Sequence, residues 1–270
     1  LLNENGIEKE GILRDQGSPI SKEEISELLK MEKAMCKIKF KKYTEEGIET
    51  GKGTGFFCKL DNLTHFQNFP IKYALFTNHH VLDEDNIKIG TINIELFDGE
   101  EKQIKIDKKR KVFTNKELDY TCIEIFKSDG IKDYFEIDPI IFTDKKNNLR
   151  NSEIFILQYP EGKELSFSYG RIKSLNQYNI YHSASTKGGS SGSPIISRIT
   201  GNSIIGLHYG GYKKKGNIDY SFNLAISFDF ILNDIDRLSK PNEIDCIYKI
   251  KNNGKEIQLL YDYNINVFEN

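Results

Sequence analysis

Thr186-Lys187-Gly188-Gly189-Ser190-Ser191-Gly192-Ser193-Pro194-Ile195-Ile196 is small, polar and glycine-rich, and it runs straight into an apolar strand. Its glycines at 188, 189 and 192 let the backbone reach positive φ and bring amide N–H groups close to a bound molecule. A serine between such glycines can hold its hydroxyl outward while neighbouring N–H groups converge on one point. Acyl transfer needs that arrangement, a nucleophile beside donors that receive the developing oxyanion. By composition alone the stretch reads equally well as a Gly/Ser hairpin turn or a flexible linker.

Two distant segments decide between these readings. Ala74-Leu75-Phe76-Thr77-Asn78-His79-His80-Val81-Leu82 is an apolar strand ending in a histidine pair. Glu117-Leu118-Asp119-Tyr120-Thr121-Cys122-Ile123-Glu124-Ile125 opens a second strand with an aspartate. The chain order is therefore His, Asp, Ser, the order of the chymotrypsin barrels and not of subtilisin or the α/β-hydrolases. Over roughly residues 50 to 230 the sequence resembles the trypsin family. T-N-H-H-V is similar to its T-A-A-H box, L-D-Y-T to the segment around its aspartate, and G-S-S-G-S-P to its G-D-S-G-G-P box. Three boxes in order are far more specific than any one of them.

The bounds set by the whole chain agree with one large β unit or two barrels sharing a core. It has 270 residues and a net charge of −2, which leaves no footprint for nucleic acid or an anionic membrane. The run Lys108-Lys109-Arg110-Lys111 lies between strand-like segments and reads as a solvated turn. No window approaches the ~18 apolar residues of a membrane span. Cys36, Cys58, Cys122 and Cys246 lie far apart without C-x-x-C spacing, which argues against a metal site and for free thiols. Where secreted relatives carry a cysteine beside the histidine this chain has Val81, so the expected compartment is the cytoplasm.

Taken in order, residues 1–35 read as a polar lead-in and an amphipathic helix over 22–34, opened by the capping box Ser21-Lys22-Glu23-Glu24. Residues 36–128 read as a first barrel with strands at 36–43, 52–60, 71–78, 87–97, 102–113 and 119–126. Gly51-Lys52-Gly53-Thr54-Gly55-Phe56 lacks the strand-to-helix context of a phosphate loop; the family resemblance instead packs it beside the histidine strand. Residues 129–228 read as a connector with a short helix at 131–135, then a second barrel with strands at 153–158, 165–174, 178–184, 194–198, 203–209 and 219–227. Residues 229–240 form a C-terminal helix, and the tail 241–270 holds two further strands at 244–250 and 256–262. The fold class is thus all-β, two six-stranded antiparallel barrels with a short helix at each end.

The resemblance assigns roles residue by residue. Ser191 matches the nucleophile, His80 (directly before Val81) the base, and Asp119 the group that orients it. His79, pointing to the opposite strand face, becomes a packing or rim residue. The N–H groups of Gly189 and Ser191 form the oxyanion hole. Ser190 stands where trypsin-like zymogens have the aspartate that pairs with a newly cut N-terminus, so activation by trimming is not expected. Ser185 stands at the base of the specificity pocket, where trypsin has an aspartate, so a pocket for Lys or Arg is not expected. Thr186, followed by Gly188-Gly189, and Gly206-Leu207-His208-Tyr209-Gly210-Gly211 resemble the bacterial glutamyl endopeptidases, which bind a carboxylate with a Thr and a His. Strand alternation puts Gly206, His208 and Gly210 on one face. Viral chymotrypsin-like cysteine proteases use a similar pair for glutamine, and a buried histidine can also be plain core. These assignments imply a protein or peptide substrate, no cofactor and no metal, with a regulatory protein partner as a further expectation. The rival from another class is a catalytically silent barrel that binds peptides or docks a signalling partner.

Overall fold

A computed structural model describes residues 19–44, 47–176, 178–199, 201–212, 222–240, 248–252 and 255–259. Helix α1, Lys22–Met31, starts at Ser21, whose hydroxyl accepts from the Glu24 N–H while the Glu24 carboxylate accepts from the Ser21 N–H. Glu24 also reaches across to Arg198, whose guanidinium hydrogen-bonds it and pulls its carboxyl down to about 2. This ties the helix to the second half of the chain.

The first sheet contains β1 (Met35–Thr44), β2 (Gly47–Lys59), β3 (Tyr73–Thr77), β4 (Thr91–Leu96), β5 (Glu101–Lys105), β6 (Val112–Asn115) and β7 (Tyr120–Glu124). Their spatial order is β5-β4-β1-β2-β3-β7-β6, all antiparallel. It is a curled, half-barrel sheet of seven strands, consistent with the expected two-barrel fold but with one strand more than expected and without closure. Two local devices account for the difference. Asp83 caps a short helix α2, Glu84–Lys88, inside the segment read as strand 87–97. Asp107 then turns the chain by accepting the Lys109 and Arg110 N–H groups, cutting the expected strand 102–113 in two.

Arg110 overturns the reading of its basic run as wholly solvated. Its guanidinium turns inward, bonds both Asp129 oxygens at 2.7 and 2.8 Å, donates to the Lys105 and Glu124 carbonyls, and lies 4.3 Å from the Phe126 ring centroid. It thereby fastens the end of β5 to the end of β7. Because Asp129 serves this pair in a 3₁₀ turn at Lys127–Asp129, and Gly130 (φ +72°) ends that turn, the expected helix at 131–135 does not form. Phe135 instead makes a parallel bridge with Cys58.

The second sheet closes as expected, in the order β10-β13-β12-β11-β8-β9. Its strands are β8 (Glu153–Gln158), β9 (Ser166–Leu175), β10 (Asn179–His182), β11 (Pro194–Ser197), β12 (Ser203–Tyr212) and β13 (Phe222–Ser227). Helix α3, Phe228–Ser239, follows, and β14 (Tyr248–Asn252) and β15 (Lys255–Leu259) pair only with each other. The cores of the two halves are continuous. Phe228 of α3 packs against Phe56 and Phe76 of the first sheet, at centroid distances of 6.0 and 4.8 Å. Cys36, Cys58 and Cys122 are buried free thiols; Cys246 and the outer ends of the expected tail strands lie outside the described residues.

Removing one partner of a buried ion pair strands the other charge. Arg110→Ala should therefore lower unfolding stability by about 3–5 kcal/mol in urea titration, whereas Lys109→Ala, on the exposed side of the same run, should change it by under about 0.5 kcal/mol. Equal small effects would contradict this role for Arg110.

Candidate active site

The loop before β11 takes its shape from positive φ at Gly189 (+90°) and Gly192 (+88°). Neither position has room for a side chain: a Cβ at Gly189 would lie 2.7 Å from the Tyr159 carbonyl oxygen, and one at Gly192 would collide with the Thr54 carbonyl. Thr54 of β2 grips this loop from the other half of the molecule. Its N–H donates to the Ser191 carbonyl at 2.9 Å, and its hydroxyl donates to the Gly189 carbonyl at 2.8 Å while accepting from the Tyr159 N–H at 3.0 Å. The Thr77 hydroxyl in turn donates to the Thr54 carbonyl at 2.8 Å.

Within the loop the N–H groups of Ser190, Gly192 and Ser193 are all used, by the carbonyls of Lys187, His208 and Ser190. Among the described residues, those of Gly189 and Ser191 have no partner. The Ser190 side chain is buried and its hydroxyl accepts from the Lys187 N–H at 3.1 Å, a local bond in the place of an aspartate's ion pair.

His80 follows β3 and is held at two points by one carboxylate. Its ring Nδ1 lies 2.7 Å from Asp119 Oδ2 and its backbone N–H donates to Oδ1 at 3.0 Å. Asp119 Oδ1 already accepts the backbone N–H, and Oδ2 is placed to accept from Nδ1, which leaves Nε2 as the ring nitrogen without this contact. Asp119 adopts φ +46°, a left-handed conformation costing an L-residue on the order of 1–2 kcal/mol. Its carbonyl is held by the Asn78 side-chain amide at 2.8 Å. His79 points elsewhere: it is buried, with Nδ1 2.9 Å from the Thr114 hydroxyl and Nε2 3.6 Å from Glu84. Among the described residues the Ser191 hydroxyl makes no hydrogen bond, and bonds of this kind commonly tighten only with substrate in place.

The expected pocket residues separate into an open side and a buried side. Ser185 is exposed; its carbonyl accepts from Gln158, and the Ala184 carbonyl accepts from Asn223 of β13 at 2.7 Å. A Cβ at Gly210 would meet open space. His208 is 2 % exposed, and its Nδ1 lies 3.3 Å from Nε2 of a second buried histidine, His182 of β10. The simple alternation expected along β12 fails here, because the register shifts between His208 and Gly210. That bulge inserts Tyr209 as an extra residue, so Gly210 does not follow His208 by a period of two. Burial pushes the His208 imidazole down to about 4, opposed by the Leu224 carbonyl; a proton on His80 acts in the same direction as burial. Burial, then the neighbouring His208, pushes His182 down as well, and His182 Nδ1 has no partner among the described residues.

The sequence boxes found Ser191, His80, Asp119 and His208 but missed Thr54 and His182. Thr54 lay inside a glycine motif read only as packing. His182 is a lone polar residue at an alternating apolar position, a pattern too weak to single out.

Residues 53–207 match the family model described as the trypsin-like peptidase domain, and the chain belongs to that family. It is also 29 % identical over 102 residues to the glutamyl endopeptidase of Staphylococcus epidermidis, a match covering 37 % of this chain and 35 % of that protein. The chain thus spans about a third of the length of the relatives it matches. Two solved structures share the fold. The serine endoprotease from Yersinia pestis superposes with a TM-score of 0.56 at 13 % identity, covering 82 % of this chain and 68 % of that one. The HtrA-type protease AlgW with tripeptide gives 0.53 at 18 % identity, covering 76 % and 60 %. Among the described residues, no helix is long and apolar enough to cross a membrane.

The buried imidazoles set a pH response. The folded state holds His182 and His208 neutral below the pH at which the unfolded chain, with an imidazole pKa near 6.5, takes up protons. Their contribution is full above about pH 6.5 and is lost as pH falls towards 4. Between pH 7 and 5, Tm of the wild type should fall more steeply than Tm of a His182→Gln variant. Identical slopes in differential scanning fluorimetry would contradict it.

Proposed function

We propose that the chain is a serine endopeptidase that cleaves proteins after acidic residues, glutamate before aspartate. Ser191 Oγ attacks the scissile carbonyl carbon while His80 Nε2 accepts its proton, and Asp119 holds the imidazolium that results. The N–H groups of Gly189 and Ser191 receive the oxyanion; in comparable sites one such donor is worth about 2.7–4 kcal/mol. Collapse of the tetrahedral intermediate breaks the C–N bond and His80 passes its proton to the leaving amine. Water, deprotonated by the same imidazole, then releases the acyl group and restores the serine. The observation that carries this reading is the two-point hold of Asp119 on His80, beside a loop whose two unused N–H groups flank the serine.

Ser191→Ala and His80→Ala should each lower kcat/KM on a peptide substrate by ~10³-fold or more, because the members act as a unit. His79→Ala should cost under about tenfold. Labelling with a fluorophosphonate should occur in the wild type and vanish in Ser191→Ala. A folded wild type that neither labels nor cleaves would favour the silent peptide-binding barrel.

Specificity for an acidic residue is supported by the glutamyl endopeptidase relative, by the neutral Ser185, and by Thr186 and His208. A carboxylate arriving beside His208 favours the protonated ring, and His182 Nε2, 3.3 Å from His208 Nδ1, lets two imidazoles share that proton. The burial of His208, which pushes its imidazole towards the neutral form, favours the second reading, recognition of a glutamine amide. The two differ in proton uptake. If a glutamate side chain binds with a proton, its kcat/KM relative to that of a glutamine substrate should fall as pH rises from about 4, up to tenfold per unit, and level off above the pKa of His208 in the complex. Taking the ratio cancels every ionisation that the two substrates share. A flat ratio, or preferred cleavage after Lys, Arg or Phe, would sink the acidic reading.

A further inference from the structure

Asp234 sits on the C-terminal helix α3, outside every box that the sequence offers, and the residue is 7 % exposed. One oxygen, Oδ2, accepts from the Tyr120 hydroxyl at 2.7 Å and from the Asn115 side-chain amide at 2.8 Å. The other accepts from Arg237 of the same helix at 2.7 Å. Asn115 and Tyr120 are the register partners that close the β6–β7 hairpin, so this single oxygen grips the last pair before the hairpin tip. The tip is braced from within as well. Asn115 Oδ1 accepts from the Glu117 and Leu118 N–H groups at 2.9 and 3.0 Å. Next in the chain comes Asp119 with its left-handed φ, and then the fully buried Tyr120.

Such a backbone conformation persists only where the surroundings over-determine it. Asn78 holds the Asp119 carbonyl from one side; the grip of Asp234 on both flanks of the tip is the counterpart on the other. We infer that Asp234 is a positioning residue for the His80–Asp119 pair, acting through Asn115 and Tyr120, so that the docked C-terminal helix is part of the catalytic apparatus. The Tyr120 ring is buried and lies beside a carboxylate, both of which keep its hydroxyl protonated and hence a donor. Asn115 can orient its amide only one way, since its oxygen is already committed to the tip. The result is a directional chain from helix to hairpin to imidazole.

Because this rests on the roles proposed for Ser191, His80 and Asp119, those are fixed first: Asp119→Ala must abolish cleavage in a folded protein, and if it does not, the triad itself fails. With that established, Asn115→Asp keeps the oxygen that braces the tip but sets a second carboxylate against Asp234. It should lower kcat by about 10- to 100-fold with KM little changed, since a small misplacement of a catalytic group is costly and neither residue touches substrate. The downfield proton resonance of the His80 Nδ1–H···Asp119 bond should weaken or shift. Adding Asp234→Asn returns a donor–acceptor pair with the roles exchanged, and should restore most of kcat and the resonance. Tyr120→Phe, which deletes one oxygen, gives an independent measure should Asn115→Asp not fold; it should lower kcat in the same direction. A merely structural Asp234 predicts lower Tm with kcat and the resonance unmoved. That result in a folded variant, or a double variant no better than Asn115→Asp, would overturn the inference.

Discussion

The hold of Thr54 on the nucleophile loop is the contact on which the rest of the site depends. Three bonds from this one residue fix the Gly189 and Ser191 carbonyls and the start of the Tyr159 loop. Those bonds fix the 189–190 and 191–192 peptide planes; the planes that carry the Gly189 and Ser191 N–H groups are held by their own carbonyls, Gly188 accepting from the Glu161 N–H and Ser190 from Ser193, so both N–H groups stay unengaged. Preorganised donors of this kind need no rearrangement when charge develops, which is the source of their catalytic value. The glycines serve the same end, because a side chain at 192 would drive the loop off Thr54 and one at 189 would drive it off the Tyr159–Gly162 turn.

His80 and the His208–His182 pair lie in contrasting electrostatic surroundings. His80 stands at the open edge, its side chain 47 % exposed and oriented by a carboxylate. His208 and His182 are sealed among apolar strands with no carboxylate among their hydrogen-bond partners, and burial keeps both neutral. Two of the three imidazoles are thus pushed towards the neutral form by burial, while the third stands exposed beside a carboxylate. Divergent environments for chemically identical groups are a common way for one site to hold separate acid, base and recognition roles.

How far the sequence could be read depended on the range of the interactions involved. His80 and not His79 meets Asp119, but the pair stands in the turn after β3 and not on the strand to which alternation applies; what was legible was the box itself, with its histidine directly before Val81. The closed second barrel was legible from its evenly spaced apolar strands. The inward turn of Arg110 was not, since nothing near it in sequence announces Asp129, nineteen residues on, as the partner of a buried cation. The bulge at Tyr209 escaped for a related reason: alternation is a pattern of side chains, whereas a bulge is set by which backbone partners the neighbouring strand presents. His182 and Asp234 become meaningful only once β10 meets β12 and α3 meets the β6–β7 hairpin.

The division of the nucleophile loop's supports between two sheets has a bearing on how such a chain survives its own synthesis. Ser191 and its loop are encoded in the second barrel, but Thr54, Thr77, His80 and Asp119 all come from the first. Neither half alone contains both a shaped oxyanion site and a base. A chain in which one sheet has formed and the other has not holds a serine with an unconstrained loop, chemically no more reactive than any surface hydroxyl. If Ser191 and His80 act as proposed, competence arises only with the final docking of the two halves, and a half-folded chain is harmless to its neighbours and to itself.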